Sequence, residues 1–354
     1  MPRRKIIQII LGLALVLAFG VKSLFVKHPI LVGWTMGTSY GVTLKGYVSR
    51  SAINTLSLQI EAELAEINRQ MSTWDPDSEI ARFNQSVSTE PFQASEAFSD
   101  VVGAALELSR STGSAFDPTL NPLLNLWGFG SESEERKVPS DAEIADARAL
   151  TGWRKLGVDA GSNLRKSIPE LALDLGAIAK GYGVDAIGQI LDGAGHENWF
   201  AEIGGEVVVR GTNPDGIPWR IGIQHPTTNP MVDKLQGIVN LTNGAVATSG
   251  DYRNYIEEDG VVYSHILDQR SGRAVLSDTA SVTVAAPRCM DADGIATALF
   301  VMGADEGLDW VEQRPEVEAL FLVRGTDGEI SEKFSSGFEA ATSYISTQAP
   351  STKN

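Results

Sequence analysis

Between residues 51 and 71 the apolar side chains fall at Ile53, Leu56, Ile60, Leu64, Ile67 and Met71. Spacings of three and four mark one face of an amphipathic helix, with Glu61, Glu63 and Glu66 on its solvated side. Fainter versions of the pattern predict helices over 99–111, 141–151, 177–191 and 293–302. Upstream, 32–45 alternates as a strand with a turn at Gly37. From residue 201 the period shortens, and 206–210, 219–223, 237–242, 261–267 and 281–285 read as strands separated by Gly, Pro, Asn and Asp turns. This mixture predicts an α+β fold of mixed sheets with packed helices, in one large or two intimate domains over 32–345, and not a doubly wound parallel sheet. The charged stretch 131–139 reads as a solvated loop or lid, and 346–354 as a disordered tail.

The N-terminus has a different pattern. Arg3, Arg4 and Lys5 precede an uncharged apolar run from Ile6 to Val21, the arrangement of an export signal. Ala18-Phe19-Gly20 offers a small-x-small processing site. Continued through Leu24-Phe25-Val26, however, the segment reaches the ~20 residues of a membrane span. An uncleaved anchor over 6–27 is the expectation, with 1–5 in the cytoplasm and the remainder outside the inner membrane.

Charge narrows the partners. The chain carries a net −16, and residues 1–27 hold five positive charges and no acid, which leaves −21 for the rest. Nucleic acid is excluded as a partner, because phosphate backbones require a basic surface. A phosphate-bearing ligand would need a bridging cation. The single cysteine, Cys289, excludes an intrachain disulfide.

Three segments carry candidate chemistry. Asp293 and Thr297 stand four residues apart, so on a helix a carboxylate and a hydroxyl share one face. That pair suits Mg²⁺, which takes one or two protein oxygens plus phosphates and water; the spacing also fits an Asp that caps a helix start with Thr297 packed beside it. The run 174–183, DLGAIAKGYG, leads from Asp174 through a glycine turn into a helix bearing Lys180, a place for an anion or simply a tight strand-to-helix turn. His265, on the strand 261–267, is a candidate general base, or a packing residue. Aromatics beside polar turns, Trp74 in 71–79 and Phe116 and Trp127 in 116–130, can stack on a flat heterocycle or anchor surface loops.

Together and in this order the segments resemble the ApbE-type FAD:protein FMN transferases. The resemblance rests on TMGTSY (35–40), MSTWDPDSEIARFN (71–84), AFDPT (115–119), LWGFG (126–130), DLGAIAKGY (174–182), EIGGE (202–206), ATSGDY (247–252), SHILD (264–268) and ADGIATA (292–298), and extends from 35 to 303. It implies that Asp293 and Thr297, with an oxygen of Ala177, hold Mg²⁺. It further implies that Met36, Trp74, Ala115, Phe116, Asp117, Asp174, Lys180 and Ile266 line the FAD site, and that His265, Lys180 and Asp293 carry the chemistry. Two departures stand out: Asp268 is followed by Gln269 where the family usually has Pro, and the lipid-attachment cysteine of many members is missing.

The implied reaction moves the FMN half of FAD onto a Ser or Thr of an acceptor, a flavoprotein subunit of an extracytoplasmic membrane redox complex, with release of AMP. Hydrolysis of FAD to FMN and AMP, or storage of FAD without catalysis, would use the same residues.

Overall fold

A single antiparallel sheet of eight strands follows the chain from one edge to the other. Its strands are β1 (Ile30–Thr35), β2 (Thr38–Leu44), β3 (Trp199–Ile203), β4 (Glu206–Arg210), β5 (Asn243–Gly250), β6 (Thr279–Ala286), β7 (Glu318–Arg324) and β8 (Ile330–Phe334), and their spatial order is the sequence order. Every neighbouring pair is antiparallel. The structure is a computed structural model and describes residues 24–133, 135–227, 234–252 and 254–347.

Four helices pack on one face: α1 (Arg50–Met71), α2 (Glu96–Ser111), α3 (Ala179–Gly193) and α4 (Cys289–Met302). In α1 the buried residues are Leu56, Ile60, Leu64, Ile67 and Met71, the predicted stripe. Each contributes about 2 kcal/mol on burial, against ~1 kcal/mol for the Ser49 cap on Ala52; the stripe therefore sets where the helix lies and the cap only where it begins. These side chains share a core with Val42 and Leu44 of β2, Ala201 and Ile203 of β3, and Val184 and Ile187 of α3. On the opposite face, Val207, Val209, Val246 and Leu320 pack under a hairpin of Trp219–Gln224 and Leu235–Leu241.

The α+β expectation holds, with several boundaries moved. The predicted strand 32–45 is the hairpin β1–β2, turning at Met36 and Gly37. The strand 261–267 is broken: Val261–Ser264 pairs with Tyr255–Glu258, His265 and Ile266 leave the ladder, and Leu267–Asp268 pairs with Arg273–Ala274. The strand expected before Asp174 has no regular structure.

At the ends of the chain, the basic start and the apolar run 6–21 lie outside the described residues, and so do 348–354 of the expected tail. Among the described residues no helix is long and apolar enough to cross a membrane. Of the expected anchor 6–27, Phe25–Lys27 instead form a strand paired with Tyr47–Ser49. Ser346, placed in the expected tail, instead pairs in a strand: Ile345 and Ser346 lie opposite Ile238 and Gly237.

Candidate functional site

The site is built where α3 and α4 begin. Helix α4 is buried on nearly every side, so it must satisfy its polar ends internally. Its first turn has no side-chain cap of its own; Asp185, in α3, accepts the N–H groups of Cys289 and Met290, each at 2.9 Å. The debt is mutual. Asp293, one turn into α4, accepts the N–H of Gly181 in the first turn of α3 at 2.9 Å. Each helix thus caps the other, filling donors that a helix N-terminus leaves free. Asp293 is a cap after all, for α3 and not for its own helix, which starts four residues earlier. Contact this close needs Gly181, where a Cβ would lie 2.3 Å from the Cys289 carbonyl oxygen. Cys289 itself is fully buried, and burial pushes its thiol well up; it packs.

Lys180 sits beside the cap. Its Nζ lies 2.8 Å from Glu206 Oε1 and 3.5 Å from Asp293 Oδ1. Loss of hydration alone would depress the ammonium, but Asp293 and Glu206 offset this and hold it above the usual lysine value. Burial pushes Asp293 up to about 6, against the pull of Lys180 and with Glu206 adding to the rise. Glu206 faces the same side of β4 as Val208, towards the helices. Its Oε2 is buried without a hydrogen-bond partner among the described residues.

These groups line a cavity of about 420 Å³. Thr297 Oγ1 stands there, 2.9 Å from Ser249 Oγ of β5. Phe116, Ala115, Leu120, Phe129 and Ile266 contribute apolar lining, and Trp74, 72% exposed, lines it as well. The broken strand matters here. It turns His265 into the cavity with Nδ1 3.1 Å from the carbonyl oxygen of Asn254 and its ring edge-on to Phe129. A carbonyl only accepts, so Nδ1 carries the proton and Nε2 keeps its lone pair. Burial pushes His265 below the usual histidine value; Asn254 opposes this and Lys180 reinforces it.

Asp174 also lines the cavity, accepting the Gly176 N–H at 2.8 Å, with burial raising its carboxyl. Asp117 holds two loops together: Thr119 donates to it twice and the Trp153 N–H once. Ala177 lies on the wall in the turn before α3. Met36 alone among the proposed residues does not line the cavity; its side chain packs towards α3 at Gly183. Glu206, Ser249 and the Asn254 carbonyl were not singled out individually from sequence, although the first two lie within the EIGGE and ATSGDY segments.

Among the described residues no group of three or more His, Cys, Asp or Glu side chains is placed to hold a metal by itself. One buried carboxylate, two hydroxyls and the orphaned Glu206 oxygen do fit a hard cation that takes its remaining ligands from phosphate and water.

The chain as a whole is similar to known proteins. The family model described as "ApbE family" matches residues 36–321. A Vibrio cholerae protein named FAD:protein FMN transferase is 45% identical over 312 residues, 87% of this chain and 91% of the relative. One from Haemophilus influenzae with the same name is 37% identical over 347 residues, covering 96% and 99%. Among solved structures, the flavin transferase ApbE from Vibrio cholerae superposes with a TM-score of 0.81 at 42% identity, over 89% of this chain and 99% of that one.

Proposed function

The chain belongs to the ApbE family, and on that premise we propose that it transfers the FMN half of FAD to a Ser or Thr hydroxyl of an acceptor protein, releasing AMP. The observation that carries the reading is one cavity whose lining combines aromatic and apolar side chains suited to a flat ring with Lys180, Glu206, Asp293 and Thr297, suited to phosphate and its cation.

In this reading His265 Nε2 takes the proton of the acceptor hydroxyl as its oxygen bonds to the FMN phosphorus. The pyrophosphate P–O bond breaks, and AMP leaves with the bridging oxygen. Lys180, fixed between Glu206 and Asp293, supplies positive charge to the phosphoryl oxygens. A Mg²⁺ held by Asp293, Thr297 and the Ala177 carbonyl would neutralise the pyrophosphate and polarise a phosphoryl oxygen. Phe116, Ile266 and Trp74 hold the isoalloxazine, and Asp117 and Asp174 fix the loops around it.

The proposed acceptor is a flavoprotein subunit of a membrane redox complex, and the proposed location is the outer side of the inner membrane. The basic start and apolar run 6–21 support that location. Incubation with FAD, Mg²⁺ and an acceptor peptide tests the activity. Covalent flavin on the peptide is the expected result; free FMN and AMP would mean hydrolysis by the same site, and unchanged FAD a carrier.

A further inference from the structure

The sheet has one uncovered apolar corner. On the edge strand β1, Ile30, Val32 and Trp34 alternate outward and are 68%, 73% and 82% exposed. Register shows which face this is. Ile30 and Val32 lie opposite Thr43 and Gly41 of β2, these opposite Phe200 and Glu202 of β3, and those opposite Val209 and Val207 of β4. Val207 and Val209 are covered by the Trp219–Gln224 hairpin. The three β1 residues thus continue the face that the hairpin covers elsewhere, on the side of the sheet away from α3, α4 and the cavity. Beside them the ribbon of Phe25–Lys27 and Tyr47–Ser49 exposes Phe25 and Tyr47.

Charge singles out the same corner. The protein carries −16 overall, yet no Asp or Glu occurs before Glu61, while Lys27, Lys45 and Arg50 fall in this stretch. The carboxylate that this row of the sheet meets is Glu202, two strands in and half-buried, its carboxyl raised by burial and then by Glu206. Phe25 belongs to this surface, and the apolar run 6–21 lies just before it in the sequence.

From this coincidence of exposed aromatics, cations and an adjoining apolar segment we infer that the β1 face rests on the surface of a lipid bilayer, which leaves the cavity on the opposite side of the sheet facing away. Trp and Tyr favour the headgroup level, and an apolar face of this kind beds about 5–10 Å into the interface. Lys27, Lys45 and Arg50 suit anionic headgroups, whereas the acidic remainder is repelled by them. A second copy is the poorer occupant, because two such corners would set Lys27, Lys45 and Arg50 against the same cations. The inference goes beyond the proposed location: an anchor fixes the protein at a membrane, and this face fixes its orientation.

The test uses the full chain in vesicles of phosphatidylethanolamine and phosphatidylglycerol containing doxyl-labelled lipid. Val32→Cys, and separately Ile30→Cys, carries a nitrobenzoxadiazole label; Cys289 is buried and stays unlabelled. Val87→Cys, at a position 83% exposed beyond the helix Glu79–Gln85, is the control. Label at 32 and 30 should be quenched by the lipid several-fold more strongly than label at 87. If the protein floats with the vesicles but 30 and 32 are quenched no more than 87, the orientation is wrong and the location stands. If the protein does not float, both fall.

Discussion

Asp293 receives the Gly181 N–H at 2.9 Å across the contact between α3 and α4. The bond ties a carboxylate proposed to hold the cation to the helix that carries Lys180, so the position of one charge sets the position of the other. Asp185 closes the arrangement from the other side.

Gly181→Ala should break it by steric means. The added methyl carbon would meet Cys289 backbone at 2.3 Å, and backbone cannot swing away as a side chain can. A loss of about 1–3 kcal/mol in unfolding free energy is expected from overpacking, with a fall in flavin transfer well beyond tenfold. Denaturation and transfer assays on the same preparation check both; wild-type values would mean that the helices do not touch here.

Substitutions at 293 separate capping from charge. Asp293→Asn keeps an acceptor for Gly181 and should leave the unfolding midpoint close to wild type while abolishing transfer. Asp293→Ala leaves the N–H unfilled and should cost a further ~1 kcal/mol. Equal stability of the two variants would remove the capping role.

Asp185→Ala should lower stability by about 1–2 kcal/mol, because two buried N–H groups lose their partner. It touches neither FAD nor cation in this account, so kcat should fall through displacement of α4 while KM for FAD changes little. A raised KM with unchanged kcat would contradict that positioning role.

His265 gives a pH signature. The neutral imidazole is the active form, and burial, followed by Lys180, holds its pKa below the usual histidine value. Transfer should therefore rise with pH through that depressed pKa and be level by neutrality, so that activity is lost only on the acid side. His265→Gln should reduce the rate by roughly 10²–10⁴-fold. A wild-type limb centred above the ordinary histidine value would contradict the assigned state.

Sequence pattern reached the long amphipathic helix and the α+β class because both rest on local period. It missed the start of α4 for a physical reason. That helix is buried on nearly every side, so no stripe marks it, and its cap comes from Asp185, 104 residues away. The strand β5, NGAVATSG, is built of small residues with little β signature, and β7, EALFLVR, is a short apolar run that fits helix or strand equally. At the site, Asp293, Thr297, Lys180 and His265 were legible as residue types at suggestive spacings. Glu206 was not, because its partnership with Lys180 exists only once β4 lies against α3.

The central claim is that a divalent cation at 293 and 297 serves phosphoryl transfer from FAD. The most direct test is mass spectrometry of an acceptor peptide after incubation with FAD, with Mg²⁺, with EDTA, and with EDTA followed by excess Mg²⁺. The account expects an FMN adduct in the first and third cases and none in the second, with AMP formed in step with the adduct. Adduct formation at an undiminished rate in EDTA would contradict it.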